Sequence, residues 1–89
     1  MAKALEVQLS DDSLLVFDGT ILEVFAGGVQ MRVHVRGLEG MEIKEGRTSM
    51  GRQLEIKNRF GSDAGLSYDQ ECLPELREFT DQVLAAAQG

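Results

Sequence analysis

One helical stripe at the end of a strand-like sequence constrains this chain more than any other feature. From Leu73 to Gln88, at 100° per residue, Leu73, Leu76, Phe79, Thr80, Val83 and Ala87 fall within about 120° of one another. Glu75, Glu78, Asp81, Gln82 and Gln88 take the remaining surface. Pro74 suits the first turn, where its missing N–H is not needed, and Glu75 and Glu78 favour the positive N-terminal end. Gly89 ends the helix. Such a helix is marginal alone, so Leu76, Phe79 and Val83 must bury against a partner, each contributing about 1.5–3 kcal/mol. The only surface available is the strand-rich region before it, so the sequence predicts a small sheet closed by one C-terminal helix.

Along that region, Leu5, Val7 and Leu9 alternate with Glu6 and Gln8, which predicts a half-buried strand over 4–10. Ser10 to Ser13 is turn material. A second strand runs from Ser13 to Phe17, where adjacent Leu14 and Leu15 leave the inward face ambiguous. Asp18-Gly19 predicts a type I′ hairpin turn into a third strand, Thr20 to Phe25. Gly27-Gly28 breaks the chain. Gln30 to Arg36 then alternates cleanly, with Met31, Val33 and Val35 inward and Arg32, His34 and Arg36 outward. Gly37 and Gly40 flank Leu38 at a bend, and Met41 and Ile43 resume the alternation. After a loop over 46–51, Leu54 and Ile56 define a sixth strand, a turn occupies 58–63, and Leu66 and Tyr68 mark a seventh. Seven short strands at this spacing predict an antiparallel meander curling into a sandwich or barrel.

Seven strands ending in one helix resemble the pleckstrin-homology-like fold, in particular its short bacterial versions. The resemblance rests on residues 14–19, 33–42 and 54–56 and on the terminal helix, and it covers the whole chain in pattern and element order. It implies a mainly β architecture (β+α): a half-open barrel of about seven antiparallel strands, in sheets of four and three, plugged at one end by the helix. It also implies binding and scaffolding rather than catalysis. Phosphoinositide-binding members carry lysines and arginines around the first inter-strand loop. Here that loop is Ser10-Asp11-Asp12-Ser13, which would repel a phosphorylated headgroup. The tryptophan common in the terminal helix of eukaryotic members is absent. Both departures place the chain among non-lipid-binding relatives.

Composition narrows the function classes. At 89 residues the chain is read as a single domain spanning 1–89, and a 43% apolar share suffices for a core. A net charge of −6 counts against nucleic-acid and anionic-membrane binding. Cys72 is the only cysteine, so no internal disulfide forms, which suits a reducing cytoplasm. The first ten residues lack the apolar block of a signal peptide, and no apolar run approaches the roughly 18 residues of a membrane span. His34 and Cys72 are the only histidine and thiol, and nothing in the pattern brings them together. No structural zinc site, phosphate loop or cofactor motif is expected, and the chain is not read as an enzyme.

Three features compete as sites. Arg32, His34 and Arg36 form an outward row, about 6.7 Å between neighbours on an extended strand, that could dock an acidic partner. Cross-strand glutamates such as Glu23 or Glu42 could equally neutralise it. The loop holding Arg47, Ser49 and Arg52 carries two cations and no acid and could hold one anion. Phe60 sits at a turn tip, either touching a partner or membrane or folding back over the barrel rim. Charge is also uneven, at −4 over residues 1–31, +3 over 32–61 and −5 over 62–89. Such blocks could neutralise one another within a monomer or join copies head to tail. The sequence thus predicts a protein-binding or self-assembly module forming a weak homo-oligomer, with a peripheral membrane or anionic-ligand module as the alternative.

Overall fold

The computed structural model describes residues 4–48, 50–61 and 63–88. Ser49 of the proposed anion loop and the helix-ending Gly89 lie outside the described residues. Seven antiparallel strands form two sheets. The first, in sequential order, contains β1 (Leu5–Ser10), β2 (Ser13–Phe17), β3 (Ile21–Ala26) and β4 (Val29–His34); the second contains β5 (Leu38–Lys44), β6 (Gln53–Asn58) and β7 (Ala64–Ser67). The two sheets do not join into a closed barrel. The helix α1 (Leu73–Gln88) follows a short 3₁₀ turn over Gln70–Cys72.

Register explains the core. Leu5, Phe17, Leu22 and Val33 lie opposite one another across β1 to β4, and Val7, Leu15, Val24 and Met31 form the next row. In the second sheet Met41, Ile56 and Ala64 make one inward row and Ile43, Leu54 and Leu66 another. These inner faces enclose one cluster that also holds Leu76, Phe79 and Val83 of α1, all at most 4% exposed. The stripe of α1 buries as its spacing requires, and the helix packs on β1, β5 and the turn between the sheets. It therefore covers the interior between the two sheets.

Two turns differ from their sequence reading. Among the described residues no non-glycine residue adopts positive φ, so Asp18-Gly19 is not a type I′ pair. Phe17 instead pairs with Leu22, and the Asp18 carboxylate accepts hydrogen bonds from the N–H groups of Ile21 (2.8 Å) and Thr20 (2.9 Å). Those bonds hold its pKa below the ordinary carboxylate value. The two-residue hairpin with both residues left-handed is at Gly27-Gly28, with φ of 56° and 85° between the paired Ala26 and Val29. Two consecutive left-handed residues are what a type I′ turn demands.

Hydrogen bonds at two further places join parts of the chain that are distant in sequence. A bulge between Gln8 and Ser10 shifts the register of β1. There the Leu9 carbonyl accepts from the Asp69 N–H (2.7 Å) and the Cys72 thiol (3.7 Å). Tyr68 is buried just beyond β7 and donates its hydroxyl to the Lys44 carbonyl at 3.0 Å. Burial raises the pKa of this phenol.

Candidate functional site

The feature that stands out is the outer face of the first sheet. Because Leu15 and Phe17 point inward, Leu14 and Val16 point outward, which resolves the ambiguity in β2. On β3, Leu22 and Val24 point inward, so Ile21, Glu23 and Phe25 share the outer face. Leu14 lies opposite Phe25, and Val16 opposite Glu23. Leu14, Val16, Ile21 and Phe25 are each only half-buried, and none belongs to the enclosed cluster or packs against it. They form an apolar centre on the two middle strands. Polar edges flank it: Glu6 and Gln8 on β1, and Gln30, Arg32 and His34 on β4, all exposed.

Charge on this face is asymmetric across the strands. Glu23 is held from the β4 side, by Arg32 Nε at 3.6 Å and by the Gln30 side-chain amide at 3.0 Å. Arg32 still leaves 66% of its side chain exposed. The β1 edge thus presents Glu6, and the β4 edge presents Arg32 beside His34.

The expected row of Arg32, His34 and Arg36 is shorter than its spacing implies. β4 ends at His34, and Val35–Gly37 form a 3₁₀ turn that carries the chain to the second sheet. Arg36 lies in that turn, its N–H donating to His34 Nδ1 at 3.1 Å. All three side chains are exposed, but only Arg32 and His34 share a strand. Of the two glutamates expected to answer the row, Glu23 does so; Glu42 pairs with Lys57 at 3.8 Å instead.

Elsewhere in the basic middle block, Lys44 and Glu45 also form ion pairs. Lys44 pairs with Glu55 at 3.0 Å, a contact that raises its pKa, and Glu45 takes Arg77 from α1 at 2.6 Å. In the loop before β6, the Arg52 guanidinium donates to the backbone carbonyl of Arg47 at 3.1 Å. The neck of that loop is tight: a Cβ on Gly46 would sit 2.5 Å from the Gly51 backbone. Phe60 lies against Gly37 yet leaves 79% of its surface exposed, and Met50 leaves 85%.

The Cys72 thiol is half-buried, and burial, followed by the nearby Asp69 charge, raises its pKa. A protonated thiol is what its hydrogen bond to Leu9 requires. A cleft of about 360 Å³ beside it is bordered by Asp11, Asp69, Glu71 and Glu75, an acidic lining. Among the described residues, no group of three or more His, Cys, Asp or Glu side chains is placed to hold a metal ion, and no helix is long and apolar enough to cross a membrane.

The outer apolar face was missed by strict alternation, although its signal lies in the sequence. Runs such as Leu14-Leu15-Val16-Phe17 carry apolar residues at outward as well as inward positions, the pattern of a strand covered on both sides. Comparison with protein-family models, curated proteins and solved structures found no match to this chain.

Proposed function

We propose that this chain is a non-catalytic protein-binding or self-assembly module with a pleckstrin-homology-like architecture, and that it docks through the outer face of its four-stranded sheet. The observation that carries this reading is the set Leu14, Val16, Ile21 and Phe25, apolar side chains that add nothing to the chain's own core. Apolar side chains gathered on one face and rimmed by polar residues mark an interaction site. Sheets of four and three strands followed by a terminal helix support the architectural part of the reading. One unpaired thiol suits a reducing cytoplasm.

A membrane-surface role draws support from Met50 and Phe60, exposed apolar side chains beside Arg52 and Arg59. They flank opposite ends of β6, however, a six-residue strand about 20 Å long. The exposed acids Asp11 and Asp12 of the first loop oppose an anionic surface.

A photo-crosslinking amino acid at position 25 tests the docking face, with position 53 on the outer face of the second sheet as control. Irradiation in the producing cells should give a protein adduct from position 25 and none from position 53. Equal yields, or none from either, would end the reading. Liposomes carrying phosphoinositides should not co-sediment the protein at physiological salt; saturable binding at low-micromolar protein would put the membrane role first.

A further inference from the structure

We infer that the occupant of this face is a second copy of the same chain, packed face to face about a twofold axis running parallel to the strands between β2 and β3. The inference rests on the docking-face reading above and adds the partner and its orientation.

The argument is geometric. The outer face runs from Glu6 at the β1 edge, through the apolar centre, to Arg32 and His34 at the β4 edge. A twofold axis along the strands lays β1 of one copy over β4 of the other and keeps each cross-strand row at its own height. Glu6, Val16, Glu23 and Arg32 occupy one such row, so Glu6 of each copy lies over Arg32 of the other, twice per dimer. In the next row Leu14 lies over Phe25, and Gln8 over Gln30. Val16 lies over a Glu23 whose carboxylate Arg32 and Gln30 already hold. The other face-to-face choice, an axis across the strands, puts β1 on β1 and β4 on β4 and brings like-charged edges together. Charge therefore selects the first arrangement. Packed sheets lie about 10 Å apart, which Glu and Arg side chains from both sides can span.

Size sets the strength. Four strands about 4.8 Å apart, each of five or six residues rising about 3.3 Å, give a face of roughly 350 Å² in projection. Two such faces, even with side-chain relief added to their projection, reach at most the low end of the roughly 1,200–2,000 Å² that stable interfaces bury. The dimer is therefore weak, and its charged edges make it sensitive to salt.

Light scattering on a sizing column tests this with the full chain at about 100 μM in low salt, using circular dichroism to verify the fold of each variant. The mass should rise toward twice the 9.8 kDa of one chain. F25E should weaken dimerisation at least about tenfold by placing a charge in the apolar centre. E6R and R32E should each weaken it about fivefold, and an equimolar mixture of the two should restore it, because both ends of the mixed dimer again oppose unlike charges. Should F25E fail to fold, the charge pair carries the test alone, since Glu6 and Arg32 are exposed. A monomer under these conditions overturns the second-copy inference and leaves the docking face to the crosslinking result. A dimer indifferent to F25E overturns both. Weak single variants that fail to rescue each other overturn the axis.

Discussion

The two sheets share one interior but have unlike exteriors. On β6, Leu54 and Ile56 point in while Gln53, Glu55 and Lys57 point out, and the facing β5 positions Glu42 and Lys44 are also charged. Its outer surface holds together through Lys44–Glu55 and Lys57–Glu42. On β2 and β3, Leu14, Val16, Ile21 and Phe25 occupy the equivalent outward places. The interior needs only one apolar face from each sheet, so the second sheet has the composition of a face meant for water. The first sheet carries apolar residues on its outer face in addition to those its interior uses.

The largest test acts on what the sheets share. Phe79→Ala empties a site 4% exposed on the helix covering both inner faces and should cost about 3–5 kcal/mol. Against a typical total of roughly 5–15 kcal/mol, that loss is severe. A melting temperature within a degree or two of wild type would show that the helix does not hold the sheets together. Neighbouring residues on β2 then separate inside from outside. Leu15→Ala should cost about 2–5 kcal/mol in urea unfolding. Leu14→Ala should cost about 1 kcal/mol or less in the monomer. Equal losses would erase the distinction on which the proposed docking face rests.

Smaller effects sharpen the contrast. Tyr68→Phe removes the hydroxyl that reaches the Lys44 carbonyl beside the second sheet and should cost about 1 kcal/mol by the same method. No loss would mean the hydroxyl is equally well served by water. The sheets should also answer pH at opposite ends of the scale. Asp18, in the first, has a lowered pKa, so its contribution is full above the ordinary carboxylate value and is lost as pH falls through the folded one. Lys44, in the second, has a raised pKa, so its contribution is full below the ordinary lysine value and is lost as pH rises through the folded one. Thermal melts should show Asp18→Asn converging on wild type in acid and Lys44→Met converging in alkali. Both groups are exposed, so the shifts are small.

Much of this architecture is legible from residue order. The α1 stripe and the alternation in β1, β4 and β6 each specify a face, because a single side is buried. Alternation misleads where it outlives the strand: Val35 still packs on the core from within a 3₁₀ turn, so the pattern runs on to Arg36 after β4 has ended. Asp-Gly and Gly-Gly both permit a tight hairpin, and local preference does not choose between them. Pairing does, since Phe17 opposite Leu22 leaves too long a connection for two residues while Ala26 opposite Val29 leaves a connection of that length. The outer apolar face stayed hidden for a related reason. An uninterrupted apolar run gives no alternation to follow until its neighbours fix which side is in.

The bulge at Leu9 has a consequence for how the chain is made. Its carbonyl waits for partners in the segment leading into α1, and the thiol that reaches it lies 63 positions further on. On a ribosome, β1 emerges well before Asp69 and Cys72, so β1 cannot be locked until the segment leading into α1 has followed it out. Closing so long a loop is slow and comes late. Nascent chains that stop short of the helix carry an unfinished β1 edge, open to pairing with another strand. Locking of β1 therefore waits for the residues around Asp69 and Cys72.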